Sequence, residues 1–371
     1  MKQGWQIKDF ETCIEKAKVT SKIPSSSYQE KGNYPIVSQE QDLISGYWDN
    51  ADDVFKHTIP VIVFGDHTKV VKYIDFDFVI GADGVKILQP KAFLNPKFFY
   101  YWVMSVRIAS HGYARHYRYL KENKVPVPPL SEQQRIVSLL DAEFAKVDAL
   151  KANAEKNLQN AKDLFQAALK KELEPKEGWK TKHLNEIATY SIGLTYKPNN
   201  VNQDGTIVLR SSNIQNDELD LNDIVRVDCK IKEELYVRDG DILMCSRNGS
   251  RKLVGKVARI GHTKERMTFG TFMTIIRSDY NPLLFYFFKT KSFRNQLETG
   301  ENPMINQITK YMLNDVVASI PPSLTEQDII VARLDALSEK CKTLQANYEK
   351  TLSLCDDLKQ ALLRTAFNGE I

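Results

Sequence analysis

The chain has 371 residues, of which 42% are hydrophobic and 26% are charged, and its formal net charge at pH 7 is +4. These proportions are typical of a soluble globular protein with room for two or three domains. So small a net charge does not by itself indicate a nucleic-acid partner, and that case depends on how the charges are distributed. The five cysteines show no C-x-x-C spacing, and the first residues carry no apolar signal segment. We therefore expect a reduced, cytoplasmic protein rather than a secreted one.

The first globular segment, residues 4–129, contains four short apolar runs that predict β-strands. They lie at 34–37, 61–64, 70–74 and 85–88, and turn residues separate them at 65–69 and 82–84. Asn95-Pro96 then begins an aromatic run that ends at Trp102. A proline at the first helical position and a continuous apolar run predict a buried helix. Base stacking is the alternative role for these aromatic side chains.

A long helical run follows the sequence PVPPLSEQQR at 126–135 and continues to about residue 173. A near copy begins with PPSLTEQ at 321–327 and continues to about residue 367. When the first copy is shifted by 194 positions, 19 of the 39 residues from 131 to 169 are identical. Ser131 or Thr325 can cap the helix, and the acid that follows lies at the positive end of the helix dipole. The chain therefore contains an internal repeat.

The apolar positions of both copies step by three and four residues, which is typical of a coiled-coil seam. In the first copy they are Ile136, Leu140, Phe144, Val147, Leu150, Ala154, Leu158, Ala161, Leu164 and Ala168. In the second they are Ile330, Leu334, Leu337, Cys341, Leu344, Tyr348, Leu352, Cys355, Leu358 and Leu362. Neither helix is apolar enough to span a membrane. We predict that the two long helices pack against each other.

The second globular segment, residues 178–322, echoes the first. Gly178-Trp179 opens it as Gly4-Trp5 opens the first segment, and its aromatic run at 280–288 again contains Asn-Pro. Predicted strands lie at 207–210, 241–245, 255–260 and 272–276. The order is globular, helix, globular, helix. We therefore predict an α+β fold in which two mixed α/β domains alternate with two long helices.

The common catalytic templates do not fit this sequence. The stretch 249–256 resembles a phosphate-binding P-loop, but its spacing is one residue too long and Val257 stands where a Ser or Thr is needed. The six histidines are scattered and form no metal-ligand spacing. Asn95-Pro-Lys-Phe98 matches half of the Asn-Pro-Pro-Tyr/Phe signature of amino-methyltransferases, and a helix N-terminus is its simpler interpretation. We predict no catalytic and no metal-binding residues, and a chain that is not an enzyme by itself.

Positive charge is concentrated in one loop region of each globular segment. Residues 107–124 hold five Lys or Arg and one acid, among Tyr113, Tyr117 and Tyr119. Residues 247–266 hold seven Lys or Arg and one acid, whereas 217–228 hold five acids and one Arg. A solvated charged loop is the alternative interpretation of either stretch. Matched basic loops in two repeated segments favour DNA, because basic side chains bind phosphates while Arg, Asn, Gln and Ser read base edges.

These features resemble one family, the DNA specificity subunits of type I restriction–modification systems. The resemblance rests on the paired openings PPLSEQQRI and PPSLTEQDII, each of which leads into a long helix ending D-L-x-Q-A-x-L. LLRTAFNG at 362–369 is similar to the family's C-terminal ending, and LRSSNIQ at 209–215, GDILMCSRNG at 240–249 and YPIVS at 34–38 match its style. Ser323 is inserted after the second Pro-Pro, and Asp328-Ile329 replaces Gln134-Arg135.

The resemblance implies two target recognition domains, residues 1–129 and 175–322, that each read half of a bipartite DNA sequence. It implies that the helices at 130–174 and 323–371 form an antiparallel coiled coil, in a pseudo-two-fold repeat, as the spacer. A helix of about 43 residues spans roughly 64 Å, or some 18 base pairs, which is an upper bound on the separation of the domains. The implied partners are two DNA adenine methyltransferase subunits, which hold S-adenosylmethionine, and a restriction and translocase subunit. No cofactor is expected in this chain, and ATP and Mg²⁺ belong to the partner subunits.

We predict that polar and basic loop residues of both domains contact double-stranded DNA and that the target has unlike halves. The predicted contacts are His67, Thr68, Lys69, Arg115, Tyr117, Arg118, Lys121, Arg210, Ser212, Asn213, Arg247, Asn248, Ser250, Arg251, Lys252, Gln307 and Lys310. Two alternatives remain. One is a coiled-coil adaptor that does not bind DNA, which leaves the repeated basic loops unexplained. The other is a DNA-modifying enzyme whose active site matches no known template.

Overall fold

The computed structural model describes residues 4–82, 84–109, 114–299 and 306–370, and the chain divides into two units. Unit one comprises Met1–Lys156 and Tyr348–Ile371, and unit two comprises Asn157–Asn347. Each unit therefore combines a globular segment with part of both long helices. Asp83 of the predicted turn at 82–84, and His111 and Tyr113 of the basic stretch 107–124, lie outside the described residues.

Unit one carries eleven strands and three short helices before the first long helix. The strands are β1 (Gln6–Asp9), β2 (Ile14–Glu15), β3 (Lys22–Ile23), β4 (Tyr34–Val37), β5 (Gly46–Trp48), β6 (Val54–Phe55), β7 (Val61–Gly65), β8 (Val71–Ile74), β9 (Phe78–Gly81), β10 (Val85–Pro90) and β11 (Lys124–Val127). The helices are α1 (Phe10–Cys13), α2 (Pro96–Ser105) and α3 (Tyr117–Lys121), and the long helix α4 (Leu130–Leu173) runs on into unit two. Strands β4, β7, β8 and β10 confirm the four runs predicted in this segment.

Unit two carries the remaining eleven strands described. They are β12 (Lys180–His183), β13 (Thr189–Ile192), β14 (Val201–Leu209), β15 (Ile214–Gln215), β16 (Glu218–Leu219), β17 (Val225–Val227), β18 (Ile242–Cys245), β19 (Val257–Arg259), β20 (Met267–Phe269), β21 (Met273–Arg277) and β22 (Val317–Ile320). Its helices are α5 (Leu184–Ile187), α6 (Asn281–Phe287), α7 (Lys291–Thr299) and α8 (Lys310–Asp315), followed by the long helix α9 (Leu324–Phe367). Strands β14, β18, β19 and β21 confirm the predicted runs.

The internal repeat extends to the sheets. Unit one has a four-stranded antiparallel sheet in the order β2-β10-β7-β8, and unit two repeats it as β13-β21-β18-β19. The pair β1–β11 has its counterpart in β12–β22. In the central pairs Ile62 lies opposite Leu88, and Ile242 lies opposite Ile276. The repeat does not extend to the remaining strands. Unit one has a second sheet made of β3, β9, β4, β5 and β6, whereas unit two has β14–β17 and β20 in a different pairing.

The aromatic run after Asn95 is a buried helix, as predicted. The Asn95 side-chain oxygen accepts hydrogen bonds from the backbone N–H groups of Lys97 (2.9 Å) and Phe98 (3.1 Å), and Pro96 occupies the first helical position. This geometry confirms the interpretation of the Asn-Pro sequence as a helix N-terminus. Phe99 and Trp102 stack with ring centroids 5.6 Å apart inside the core of unit one. The run therefore supplies core packing.

Both aromatic helices are tied to a long helix by the same contact. In unit one the Tyr101 hydroxyl donates to the Asp141 carboxylate, and in unit two the Tyr286 hydroxyl donates to Asp335, which lies 194 positions after Asp141. Both tyrosines are buried. Burial and the hydrogen bond to the carboxylate raise the pKa of both tyrosines, so each hydroxyl keeps its proton for the contact. The contact fixes α2 on α4 and α6 on α9.

The long helices run antiparallel within unit one, where Asp148 pairs with Lys359 and Lys151 pairs with Asp356 at 2.8 Å. Most predicted seam positions are buried or half-buried. The prediction is wrong for Leu150, Leu164, Leu344 and Leu358, which are 54%, 51%, 39% and 45% exposed. Each lies one residue before a half-buried position of the seam (151, 165, 345 and 359), and a turn of about 100° carries its side chain to the flank of the seam. The same offset occurs in both copies of the repeat.

The helix starts also differ slightly from the prediction. Helix α4 begins at Leu130 and α9 at Leu324, so Ser131 and Thr325 lie inside the first turn and do not cap it. The Ser323 hydroxyl instead accepts a hydrogen bond from the Glu326 N–H at 3.2 Å. The residue inserted after the second Pro-Pro therefore provides the cap of α9.

Gln133 provides a test of how α4 is anchored in unit one. Its buried amide accepts from the Asn95 N–H (2.7 Å) and donates to the carbonyl oxygens of Phe93 (2.9 Å) and Pro128 (2.8 Å). Gln133→Ala should lower the free energy of unfolding by about 2–4 kcal/mol, because three backbone groups lose their partner. The neighbouring Gln134 is exposed, and Gln134→Ala should cost less than about 1 kcal/mol. Denaturant unfolding of both variants measures the difference, and equal costs would contradict this role for Gln133.

Candidate nucleic-acid interface

In unit one, the turn that follows β7 lies against the segment that leads into α3. The Asp66 carbonyl accepts a hydrogen bond from the His116 N–H (2.7 Å), and its carboxylate accepts one from the Tyr117 N–H (2.8 Å). The Asp66 carboxylate also lies 3.6 Å from Lys86 Nζ and is almost fully buried. These contacts bring the predicted residues of the turn at 67–69 beside those at 115–121.

The predicted residues of unit one differ in what their side chains already contact. Thr68 donates to the Gln39 carbonyl (2.6 Å), and Lys69, which adopts a left-handed backbone conformation with φ of 61°, places Nζ 3.4 Å from the Ile108 carbonyl. Arg115 and Arg118 are exposed. Lys121 is 2.9 Å from Glu11, whose hydrogen bond raises the pKa of the lysine. His67 is half-buried, and its backbone N–H donates to the Gln39 side-chain oxygen at 3.1 Å.

Tyr117 belongs to the core of unit one more than to its surface. Its ring centroid lies 6.1 Å from that of Phe10 and 6.2 Å from that of Phe64. Lys86 and Lys121 lie over the ring at 5.7 and 5.8 Å. The ring therefore packs the short helix α3 onto the sheet and holds two lysines near the predicted surface.

Unit two repeats this arrangement after the equivalent strand β18. The Ser246 carbonyl accepts from the Ile308 N–H (2.7 Å), as the Asp66 carbonyl accepts from His116 in unit one. One antiparallel β-bridge joins Arg247 to Gln307. The matched basic loops therefore occupy the same place in the two folds, at the end of the same strand and beside the entry to a short helix.

The third predicted segment of unit two, residues 210–213, lies against the same loop. The Asn248 amide donates to the Ser211 hydroxyl (3.1 Å), and its oxygen accepts from the Ser250 N–H (2.9 Å). The structure thus brings together the predicted residues of three separate segments of unit two. They are Arg210, Ser212, Arg247, Asn248, Ser250, Arg251, Lys252, Gln307 and Lys310.

Asn213 does not fit its predicted role. It is fully buried, its side-chain oxygen accepts from the Arg210 N–H (2.8 Å), and its amide donates to the carbonyl oxygens of Asp220 and Asp223 at 2.8 Å each. Every polar end of the side chain is therefore used to close the loop around 210–223. The prediction of DNA contact by Asn213 is corrected to a structural role, because the amide has no exposed surface with which to reach a base.

Ion pairs divide the basic residues of unit two into two groups. Arg251 pairs with Glu298 (3.0 Å) and Arg210 pairs with Asp223 (2.9 Å). Arg259 pairs with Asp335 (2.9 Å), and Arg266 pairs with Glu233 (2.6 Å). In the part of the chain that the structure describes, Arg247, Lys252 and Lys310 are exposed and form no ion pair. Only the unpaired group offers its full charge to an anionic partner.

Two exposed aromatic residues that are not among the predicted DNA contacts lie beside this surface. Phe272 is 53% exposed, and its carbonyl accepts from the N–H groups of Ser246 (2.9 Å) and Arg247 (3.0 Å). Tyr311 is 81% exposed and follows Lys310 in the first turn of α8. The apolar run 272–276 predicts a strand that includes Phe272, whereas strand β21 begins at Met273. Phe272 is continuous with the apolar residues of the strand, so the sequence pattern does not indicate that it is exposed. The Gly270-Thr271 turn just before it is the one feature that suggests a position at the strand end.

Other kinds of site find little support within the described residues. Among residues 4–82, 84–109, 114–299 and 306–370, no group of three or more His, Cys, Asp or Glu is placed to hold a metal ion, and no helix is long and apolar enough to cross a membrane. The stretch 249–256 connects β18 to β19, and Lys256 donates to the Ile214 carbonyl at 2.6 Å. That lysine is therefore used inside the fold.

Comparisons with known proteins agree with this geometry. The family model of the type I restriction modification DNA specificity domain matches the chain twice, over residues 3–160 and 176–353. The specificity subunit of the StySPI type I restriction enzyme of Salmonella potsdam is 32% identical over 206 residues, 53% of this chain and 44% of that protein. The EcoKI specificity subunit of Escherichia coli (strain K12) is 29% identical over 268 residues, 67% of this chain and 57% of that protein. The chain thus spans about half the length of the curated relatives it matches.

Solved structures show the same fold. A chain from a structural study of complex assembly and conformational transition of the type I R-M system has a TM-score of 0.75 at 19% identity, over 100% of this chain and 99% of that one. The HsdS subunit from Thermoanaerobacter tengcongensis has a TM-score of 0.52 at 18% identity, over 100% and 98% of the two chains. The predicted α+β fold, with two mixed α/β domains and two long helices that pack antiparallel, is confirmed.

Proposed function

This chain belongs to the type I restriction–modification DNA specificity family, and we propose that it reads a bipartite DNA sequence on behalf of separate catalytic subunits. The observation that carries the proposal is the matched position of a basic, polar loop at the end of β7 in unit one and of β18 in unit two. Two such loops provide two DNA-reading surfaces in one chain. The chain's own chemistry is recognition, and the modification and cleavage of DNA belong to its partners.

Three of the unpaired cations are the proposed phosphate contacts. Arg115 in unit one and Lys252 and Lys310 in unit two are exposed and have no acidic partner among the described residues. Contacts to phosphate release counterions, so the affinity for any duplex should fall steeply as salt is added. Thr68, whose hydroxyl donates to the Gln39 carbonyl, and Ser250 and Gln307 are the proposed contacts to sugar or base edges.

The two surfaces differ enough to read different sequences. The loop after β7 is a short turn at 66–70, whereas the loop after β18 extends from 246 to 256. Unit two adds the loop at 210–213 and the exposed rings of Phe272 and Tyr311. Side chains of unlike size and polarity at equivalent places select unlike bases, so the proposed target is asymmetric.

The long helices are the proposed spacer between the half-sites. Helix α4 and helix α9 each have 44 residues. At 1.5 Å per residue each spans about 66 Å, which is the length of some 19 base pairs. This length is an upper bound on the distance between the half-sites. A rigid spacer of fixed length makes the number of unread base pairs a property of the protein.

The helices are also the proposed docking surface for DNA adenine methyltransferase subunits. Leu150 and Leu344 are equivalent in the repeat, as are Leu164 and Leu358, and all four are exposed. In unit one Leu150 and Leu358 flank the Lys151–Asp356 ion pair. Unit two carries the other two leucines, Leu164 and Leu344. Repeated apolar positions that face solvent are typical of an interface. The two pairs of exposed leucines, one pair in each unit, favour two methyltransferase subunits per chain.

The partners supply the reactive groups in this proposal. The methyltransferase subunits hold S-adenosylmethionine and flip the target adenine out of the duplex. A restriction and translocase subunit, which uses ATP and Mg²⁺, joins the complex for cleavage. The subunit works in the cytoplasm, and the five free thiols, four of them buried, agree with a reduced compartment.

Methylation mapping tests the whole proposal. The genes that flank this one are searched for a methyltransferase gene. The chain is then co-expressed with that gene's product in a host without adenine methylation, and methylated adenines are mapped by sequencing. The expected result is one bipartite motif with two unlike halves and a fixed unread gap. A palindromic or continuous motif would contradict the two-surface reading. Absence of both methylation and duplex binding at low salt would favour a DNA-free adaptor, and modification by the chain alone would favour an enzyme.

The spacer role predicts how the gap responds to helix length. One heptad is inserted after Lys156 in α4 and another after Asn347 in α9, so that the paired helices lengthen together. Seven residues add about 10.5 Å, so the unread gap should grow by about three base pairs while both half-sites stay the same. The methylation map of the double insertion measures the gap. A change of preferred bases with an unchanged gap would disprove the spacer role.

The docking role predicts a loss of one partner for each leucine pair that is made polar. Leu150→Lys with Leu358→Lys, and separately Leu164→Lys with Leu344→Lys, should each reduce the bound methyltransferase from two copies to one, as measured by native mass spectrometry. Leu139→Lys is the matched control, because Leu139 is 36% exposed on α4 and its repeat counterpart is Arg333. Full assembly by both double variants would rule out these leucines as the docking surface.

A further inference from the structure

The backbone of Arg247 is held on several sides at the centre of the unit-two surface. Its N–H donates to the Phe272 carbonyl (3.0 Å), and its carbonyl accepts a weak hydrogen bond from the Cys245 thiol (3.6 Å). The β-bridge to Gln307 fixes the residue from the opposite side. These backbone contacts attach the loop to its neighbours at Arg247, and they fix the direction in which the Arg247 side chain leaves the backbone.

The side chain of Arg247 is held by a ring. Its guanidinium carbon lies 5.4 Å from the centroid of the Phe272 ring, while Arg247 itself is exposed. A guanidinium over an aromatic face is restrained but keeps its N–H donors available in the plane of the fork. The ring is 53% exposed, so one part of it supports Arg247 and the rest faces solvent.

A comparison with Arg266 shows what is unusual about this arrangement. The Arg266 guanidinium also lies over a ring, 3.6 Å from the centroid of Tyr236, but it donates to both carboxylate oxygens of Glu233 at 2.6 and 2.7 Å. Its donors are therefore satisfied within the fold. Arg247 also lies over a ring, at the longer distance of 5.4 Å, and within the described parts of the chain its guanidinium has no carboxylate partner. The guanidinium N–H groups of Arg247 therefore form a pre-organised pair of donors for a planar acceptor.

We propose that Arg247 reads a guanine in the half-site bound by unit two, and that Phe272 contacts the 5-methyl group of a thymine beside that guanine. Arginine binds guanine through O6 and N7 with two parallel hydrogen bonds, and apolar side chains such as Phe contact the thymine methyl group in the major groove. The inference rests on the proposed function and makes it specific. It assigns one member of the basic surface to the bases and leaves Lys252 and Lys310 to the phosphates.

Rigidity is the reason for choosing Arg247 as the base reader. Phosphates can be reached from many directions by flexible lysines, whereas a bidentate contact to one base requires a fork held in one plane. Lys252 and Lys310 have no ring beneath them and no ion pair among the described residues.

The test uses the assembled methyltransferase complex and the motif mapped for the unchanged chain. Duplexes carrying each of the four base pairs at every position of both half-sites compete for the complex, and methylation is sequenced in parallel. Arg247→Lys keeps the positive charge but removes the fork. It should reduce the preference for guanine at one position of one half-site by roughly 5- to 150-fold, and leave the other half-site and the gap unchanged.

Phe272 and two further variants complete the experiment. Phe272→Ala should weaken the preference for thymine at the adjacent position, and it should also weaken the guanine preference because Arg247 loses its support. Arg266→Lys is the matched control and should change no preference. Lys252→Gln should weaken binding to all sequences equally and reduce the dependence on salt. Thermal unfolding of each variant checks that these exposed substitutions leave the fold intact.

Two results would overturn the inference in different ways. If Arg247→Lys leaves every base preference unchanged, Arg247 contacts the backbone and the assignment is wrong, although the bipartite motif and the proposed function stand. If the unchanged complex methylates no bipartite motif, the proposed function fails and the inference falls with it. A guanine preference lost at a single position, with Arg266→Lys unaffected, supports the assignment.

Discussion

The fixed attachment of each aromatic helix to a long helix is the constraint on which the rest of the structure depends. A tyrosine hydroxyl donates to a carboxylate at Asp141 in unit one and at Asp335 in unit two. A hydrogen bond to a charged acceptor contributes roughly 1.5–3 kcal/mol, and the buried ring packs around it. The Tyr101 ring also meets Phe144 edge-on at 5.3 Å. Because the sheet packs on the aromatic helix, this contact orients the sheet, and with it the loops at its edge, relative to the long helix.

The loops themselves show how charge can be used for two purposes in one segment. Arg259 forms an ion pair with Asp335, the carboxylate that also accepts the Tyr286 hydrogen bond. Arg259 therefore stabilises the attachment of α6 to α9. Arg251 is partly neutralised by Glu298, while Lys252 next to it is exposed. A count of positive residues therefore overstates the charge that faces a partner. The pairing pattern concentrates the remaining charge near Arg247, at the end of β18.

The sequence predicts much of this fold because its strongest signals are periodic. The repeat of 194 positions and the three-and-four spacing locate both long helices to within a few residues, and β-branched runs locate the central strands. The predictions that fail concern residues whose burial depends on contacts with residues distant in the chain. The burial of Asn213 is decided by the carbonyl oxygens of Asp220 and Asp223, and the exposure of Leu150 by the register of two helices. For the same reason, the candidate site could be located by its charge, whereas its roles could not be assigned residue by residue.

The two halves of the molecule separate what must stay constant from what can vary. The constant contacts lie in the core and the backbone: Gln133 and Gln327 are both buried, and the carbonyl groups of Asp66 and Ser246 accept equivalent hydrogen bonds. The side chains that project from those same loops differ between the halves in size, charge and number. Since a backbone hydrogen bond does not depend on the side chain beside it, the loops can change sequence at little cost to the fold. A chain built this way can change the side chains of one loop while the buried contacts of both halves stay the same.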